Sequence, residues 1–575
     1  MDGRYIVPMD TAAIDRDLEA LSRNATAWAR TSLDDKIQLL ERLVVRADRR
    51  ATDWVAVAAE AKGLPAGSPL VGEEWMSGPY ALIYGATAVA ETLERLATGR
   101  DLLDGFPVRV GSDGRVSVRV YPKDLAERLL LSGLTAEVRM MADVDTSNLR
   151  DTMAAFYRQE HPQGTVTLVL GAGNIASIAP LDLVTMLINR GSVVMLKMNP
   201  VNDYLGPIFE DVFAPFVDAG YVRFAYGDAD VGEYLVRHPA VDAVHMTGSA
   251  RTHDAIVYGR GDDAAARKAA DRPIFDKPLT SELGGVGPTI VVPGRWSDAD
   301  LRFHAEHLVT QKLHNSGFNC IANQVLVLPE GWPGSERLVT EIEQVVAELE
   351  PRPAYYPGAA ERVRRFAEAH PSVRALTTTG TPVTLIENVD PDSDSLCFSD
   401  EVFGPVLATT ALPAPDVGTY LAAAVEFAND RLAGTLGANV LAHPRTLRAE
   451  APAVERAIRD LRYGTVALNT WTGVGFLLPR ATWGAFPGHR RHDIQSGVGV
   501  VHNALMFERP ERTVLRGPFA PAPRTLLAGE LHVAPKPPFF VTNRQAAVVG
   551  ERLTRYAASP SWRRFGSIIG AALRG

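Results

Sequence analysis

The chain has 575 residues, 46% of them hydrophobic and 22% charged, which is an ordinary globular mixture long enough for several cores. A formal net charge of −9 excludes a chain-wide nucleic-acid-binding surface, and two cysteines, Cys320 and Cys397, exclude a disulfide scaffold and point to a reducing, cytoplasmic compartment. The start lacks the basic and apolar regions of a signal peptide, and no window reaches the apolar length of a transmembrane helix.

Residues 10–62 read as helical, with Leu18, Leu21, Trp28, Leu39, Leu40, Leu43 and Val44 at helical spacing. After a Pro/Gly break, a second helical region runs over 73–98. Alternating Val and Arg around Gly111-Ser-Asp-Gly114 predicts a hairpin of Val108–Val110 and Val116–Tyr121. Residues 123–159 read as a helical, polar connector.

Residues 165–200 read strand, Gly-rich turn, helix, strand: one βαβ unit. Gly171-Ala172-Gly173-Asn174-Ile175-Ala176 imitates the dinucleotide fingerprint, whose small residues let a pyrophosphate approach a helix N-terminus. By itself it fits a ligand-free tight turn equally well. A short strand, Ala243–Met246, then ends in Thr247-Gly248-Ser249, as the carboxyl end of a parallel strand beside a crevice would. Residues 260–278 read as a charged surface segment, followed by Glu282-Leu283-Gly284-Gly285 and a strand at 289–292.

The stretch 311–328 places Cys320 between a turn at Ser316-Gly317 and a strand, 324–328. That placement suits a rigidly held nucleophile, although most cysteines are structural. Helices are expected at 335–350, 359–370, 420–430 and 452–461, strands at 437–441 and 465–469, and further strand at 498–507. Ser399-Asp-Glu401-Val-Phe403-Gly-Pro405 reads as a compact turn. From about Gly517 the chain is Pro-rich, a linker or surface arm. The basic, aromatic tail 536–575 reads as a docked terminal helix or as an amphipathic contact with a membrane surface or partner.

Taken in order, these blocks resemble the aldehyde dehydrogenase superfamily. Gly173-Asn174 and Lys197 are similar to its oxyanion Asn and cofactor Lys. Thr247-Gly248-Ser249 is similar to its nicotinamide-side turn, and Glu282-Leu-Gly-Gly to its general-base segment. Asn315-Ser-Gly-Phe-Asn-Cys320 resembles its nucleophile segment, and Glu401-Val-Phe403 its ribose-binding segment. Phe318 stands where Gln is usual, Val286 where Lys is usual, and Gly173 where an aromatic is usual, which marks a divergent member.

The resemblance implies an α/β protein of two α/β lobes, a Rossmann-like cofactor-binding domain and a catalytic domain, with a small β oligomerisation element. The expected boundaries are 1–110 and 123–283 for cofactor binding and 284–480 for catalysis. Oligomerisation strands are expected at 111–122 and 495–520, a basic extension at 521–575, and a homodimer or homotetramer as the assembly. The implied function is NAD- or NADP-dependent oxidation of a small-molecule aldehyde to a carboxylate. Cys320 as thiolate would form a thiohemiacetal and then a thioester. The Asn174 amide and the Cys320 backbone N–H would hold the oxyanion, and Glu282 would activate the hydrolytic water. Gly171, Ala172, Lys197, Asn199, Gly248, Ser249, Leu283, Glu401 and Phe403 are the cofactor-binding candidates. No acid follows Lys197, so a 2′-phosphate is admissible and the choice of dinucleotide stays open. The alternatives are an acylating enzyme or acyl-thioester reductase using coenzyme A, a generic Rossmann oxidoreductase, and a non-catalytic binding protein. His304/His307 and His489/His492 lack a third ligand in sequence, so no metal is expected.

Overall fold

The computed structural model describes residues 10–378, 380–527 and 529–575. The reading of the N-terminus as free of a signal peptide falls partly on residues 1–9, outside the described residues. The strands, in chain order, are β1 (Val108–Val110), β2 (Val116–Tyr121), β3 (Thr135–Met140), β4 (Val166–Leu170), β5 (Val193–Lys197), β6 (Val222–Ala225), β7 (Ala243–Gly248), β8 (Leu279–Leu283), β9 (Gly287–Val291), β10 (Asn323–Pro329), β11 (Val373–Ala375), β12 (Thr384–Ile386), β13 (Val406–Leu412), β14 (Gly437–Leu441), β15 (Thr465–Leu468), β16 (Gly497–Val498) and β17 (Pro510–Arg516).

They form two sheets, so the protein is α/β with two sheet-centred lobes. One has the order β16-β8-β7-β4-β5-β6, with β4 to β8 parallel. From β4 the chain builds outward on one side through β5 and β6, then returns to place β7 and β8 on the other. That reversal opens a crevice beyond the carboxyl end of β4. The other sheet has the order β1-β2-β3-β17-β15-β14-β9-β10-β13-β12-β11. β4 is almost wholly buried and β5 wholly so, as parallel strands covered on both faces must be.

The helices Thr11–Ala29 and Leu33–Ala61 fill the predicted 10–62 region. Asp10 and Ser32 cap them by accepting from the backbone N–H groups of Ala13 and Asp35. Leu18, Leu21, Trp28, Leu40, Leu43 and Trp54 enter the same core as β4 and β5. The second helical region is kinked at Gly78-Pro79, which brings Met76 and Ser77 toward the nucleophile.

Three expectations are corrected. Residues 123–159 are not a helical connector: a short helix, Leu125–Leu130, leads into β3, whose alternating burial pattern is that of a half-covered strand. β3 pairs with β2 on one side and β17 on the other. The expected strand at 498–507 is largely a buried irregular segment, with Val501, Ala504, Leu505, Met506 and Phe507 in the interior. The strand itself follows at Pro510–Arg516, where Thr513, Val514 and Leu515 match β15 in register.

The Pro-rich segment after Gly517 is not a surface arm, because it buries Phe519, Ala520, Phe540 and Val541. The tail then forms helices Ala546–Ala558 and Trp562–Ala572. The first lies so close to the Val71–Trp75 helix that a Cβ on Gly72 would stand 2.4 Å from the Ala546 carbonyl carbon. Arg555 pairs with Asp48 at 2.8 Å and covers the Trp75 ring. The tail is therefore docked on its own N-terminal helices. No helix among the described residues is long and apolar enough to cross a membrane.

Candidate active site

Cys320 follows a turn that the helix Asp298–Leu313 delivers between the two sheets. The turn has three consecutive left-handed residues: Asn315 (φ 54°), Ser316 (φ 58°) and Gly317 (φ 82°). Two of them are not glycine, so the surroundings must hold this backbone in place. At Gly317 a Cβ would also stand 2.8 Å from the Gly404 carbonyl carbon.

A buried polar network supplies the hold. The Asn315 N–H donates to Glu73 Oε2 at 2.7 Å, and Glu73 is paired with Arg352 at 2.7 Å. Lys62 pairs with Glu74 at 2.8 Å and donates to Asn315 Oδ1 at 3.0 Å and to the Asn174 carbonyl at 3.2 Å. The Tyr355 hydroxyl donates to the same two oxygens, both at 3.0 Å. Burial by itself would raise the Glu73 carboxyl, but Arg352 and His314 beside it bring it down to about 2. The N-terminal helices and the 352–355 segment thus meet at the nucleophile turn. Nothing in the sequence reading singled them out, because the five side chains are scattered over some 290 positions.

Cys320 Sγ lies 3.8 Å from Glu282 Oε1. Glu282 is on β8, paired with Thr247 of β7 and Gly497 of β16, and is buried. Trp483 Nε1 donates to Glu282 Oε1 at 2.6 Å, while Oε2 has no partner among the described residues. Burial, then the nearby Asp182 carboxylate, pushes the Glu282 carboxyl up to about 8. Burial, Glu282 and Glu401 push the Cys320 thiol well above its ordinary value. The sulfur thus stands beside a carboxyl that can take its proton when in the carboxylate form. Asn174 is buried, and its side-chain amide donates to the Phe318 carbonyl at 3.1 Å, two residues before the cysteine.

A cleft of about 1270 Å³ runs from Cys320 along the carboxyl ends of β4, β5 and β7. Gly171, Ala172, Lys197, Asn199, Gly248, Ser249, Glu401 and Phe403 all line it, with Cys320, Glu282 and Asn174 at one end. Leu283 does not: its side chain is buried with Met246 and Ile494. Asn199 is committed locally, its amide donating to the Gly171 carbonyl at 3.2 Å and accepting from the Val201 N–H at 3.0 Å. Burial lowers Lys197 to about 8, against the opposing pull of Asp228 and Asp203. Asp228, which acts on Lys197 electrostatically, lines the cleft and caps the helix Ala229–Arg237. Ser249 similarly caps the helix after β7.

The cleft fits a dinucleotide. Bare backbone at 171–173 lies at the mouth of the β4 crevice, where phosphates are held in such sheets. Glu401 is half-buried, its Oε1 atom is buried with no partner among the described residues, and a Cβ on Gly284 would stand 2.2 Å from that carboxylate. Burial pushes the Glu401 carboxyl up to about 8, against the pull of the buried, unpartnered Lys312. The Phe403 carbonyl accepts from Arg362 at 3.1 and 3.2 Å, fixing that loop. Cys397, by contrast, is buried 3.5 Å from His370 Nε2, in a different hydrophobic cluster from Cys320.

The sequence profile of the aldehyde dehydrogenase family matches residues 132–479. A coniferyl aldehyde dehydrogenase from a Pseudomonas species is 27% identical over 239 residues, 38% of this chain and 45% of that protein. A geranial dehydrogenase from Castellaniella defragrans is 26% identical over 417 residues, 67% of this chain and 76% of that protein. The structure of a Mycobacterium tuberculosis aldehyde dehydrogenase complexed with NAD+ shares the fold with a TM-score of 0.60 at 18% identity, covering 87% of this chain and 89% of that one. With more than half of its length matched to one family, and with a thiol, a carboxyl and a dinucleotide-shaped cleft in one place, this chain belongs to the aldehyde dehydrogenase family.

Proposed function

We propose that the protein oxidises an uncharged aldehyde to the carboxylate with NAD or NADP, through a covalent intermediate on Cys320. The observation that carries this is the 3.8 Å approach of the Cys320 sulfur to the Glu282 carboxyl at the inner end of the cleft. Residues 171–173, Lys197, Gly248, Ser249, Glu401 and Phe403 would hold the dinucleotide, with the Glu401 carboxylate available to ribose hydroxyls. The nicotinamide, when bound, supplies the hydride acceptor.

The chain's own residues do the rest. Cys320 passes its proton to Glu282 and attacks the carbonyl carbon, giving a thiohemiacetal. The Asn174 amide and the Cys320 N–H receive the developing oxyanion. After oxidation to the thioester, Glu282 releases the proton it took from Cys320 to solvent; its carboxylate then takes a proton from the attacking water and returns it to the departing sulfur, which frees the acid and the thiol. Trp483 fixes the carboxyl for both duties through its 2.6 Å hydrogen bond. Lys197 attracts a 2′-phosphate and Asp228 repels it, so both dinucleotides are admitted.

The proposed division is 1–110 and 123–283 for the cofactor lobe and 284–480 for the catalytic lobe. Homo-oligomerisation through strands at 111–122 and 495–520 and a cytoplasmic location complete the proposal. The location is supported by two unpaired cysteines. Light scattering tests the assembly. For the reaction, purified protein is given an aldehyde and either dinucleotide, with and without coenzyme A. Dinucleotide reduction without coenzyme A is expected; strict dependence on coenzyme A would overturn hydrolysis in favour of thiolysis.

A further inference from the structure

Behind Cys320, on the side away from the dinucleotide cleft, lies a second cavity of about 40 Å³. Its walls include Ile178, Trp471, Phe476, Leu477, Trp483 and Phe539. Among the described residues that line it there is no acid, lysine or arginine, and burial holds the one histidine, His314, below its ordinary value. One wall residue is out of place in sequence. Phe539 comes from the Pro-rich extension, more than 200 positions after the cysteine, yet it belongs to the same apolar cluster as Cys320 and Trp471.

The segment that carries Phe539 is fastened to the helix that presents the nucleophile. The Val541 N–H donates to Thr310 Oγ1 at 3.1 Å, and the Thr542 hydroxyl donates to Glu306 Oε2 at 2.8 Å. Lys536 pairs with the same Glu306 oxygen at 2.5 Å. Asn543 is buried, and its amide donates to the carbonyls of Lys536 and Pro537, both at 3.2 Å, which closes the loop on itself. Phe540 stacks on His307 and Phe303. The half-buried ring of Phe539 is thereby held 6.0 Å from that of Trp471, as part of the cavity wall.

We propose that this cavity is the acyl chamber for short, uncharged, apolar aldehydes, and that Phe539 of the C-terminal extension sets its length limit. The proposal rests on the reading of Cys320 as nucleophile. A carboxylate or phosphate on the substrate would lose its hydration there and meet no counter-ion. The volume admits about three water-sized groups, so a chain of about three or four carbons fills it. Each further methylene must displace the Phe539 ring.

The test is kcat/KM of the full-length protein for straight-chain aldehydes from propanal to decanal and for succinic semialdehyde, in wild type, Phe539→Ala and Phe539→Trp. Wild type should prefer butanal over octanal, and over the semialdehyde, by about tenfold or more. F539A should raise octanal relative to butanal by about tenfold, and F539W should move the preference toward propanal. Ratios between substrates are read, so a variant that merely folds poorly lowers all rates alike, and the opposite shift in F539W decides independently. Identical length profiles in active wild type, F539A and F539W would sink the wall while leaving the chemistry at Cys320 intact. So would a wild type that prefers octanal or the semialdehyde. A wild type that reduces neither dinucleotide with any aldehyde would remove both readings.

Discussion

The two cavities that meet at Cys320 are built on opposite plans. The dinucleotide cleft is about thirty times the larger, lined by backbone, acids and cations, and made from the ends of adjacent parallel strands. The chamber behind the sulfur is small and apolar, and is assembled from segments as distant as Met76, Ile178, Trp471 and Phe539. A ligand common to many enzymes can be met by a local solution, a glycine turn at a strand end. A substrate pocket has no such local form, and its walls come from wherever the chain passes.

The largest test of that contrast is at the junction itself. Cys320→Ala should abolish dinucleotide reduction while leaving dinucleotide binding, followed by fluorescence titration, unchanged. Full turnover in C320A would turn the cleft into an ordinary Rossmann site and the chamber into a packing defect. Glu282→Gln should lower steady-state turnover by roughly 10²–10⁴. In wild type the rate should climb about tenfold per pH unit up to about 8 and then level, since only the carboxylate accepts a proton. In E282Q that limb should vanish.

The same shift has a stability consequence. Glu282 has a folded value raised from 4.5 to about 8, so its contribution is present below pH 4.5 and is lost as pH rises through 8. E282Q should therefore melt higher than wild type above pH 8, and an unchanged or lower melting temperature there would contradict the buried, strained carboxyl.

Asn174→Ala should cost roughly 10²–10³ in kcat with little change in dinucleotide affinity. A loss confined to affinity would assign the amide to the cleft instead of to the oxyanion. Removing the turn's support is the next step down. Lys62→Met leaves the Glu74 carboxylate buried and unpaired, an effect of about 3–5 kcal/mol on stability by chemical denaturation. The smallest expected change is on the cofactor side alone. Asp228→Asn should shift kcat/KM toward NADP by about tenfold, at low salt, without altering the aldehyde profile. A change in that profile would mean that the two cavities are not separable.

Much of the cofactor side was legible in the residues. Gly171–Asn174, Gly248-Ser249 and Cys320 stand at strand ends or starts that turn signals mark, whereas Lys197, Glu282 and Glu401 stand out through the resemblance to the aldehyde dehydrogenase family. Strands β4, β5, β14 and β15 follow from apolar runs between turn signals. β3 was missed although Thr135-Ala-Glu-Val-Arg-Met alternates, because a helical pattern precedes it. The strand expected at 498–507 was misplaced, because an apolar run buried as irregular chain looks the same in sequence as a buried strand.

The sequence by itself determined much of the strand-and-turn frame, which depends on residues a few positions apart, and it marked the thiol, the carboxyl and the amide through motifs that resemble those of the family. Only the tertiary structure decided that Trp483 fixes Glu282, that Asp228 lines the cleft with Lys197, that Lys62, Glu73 and Arg352 hold the nucleophile turn, and that Phe539 joins the wall of the chamber. Those contacts join residues up to several hundred positions apart, and no local spacing encodes a distance that exists only after the two sheets and the C-terminal extension have packed.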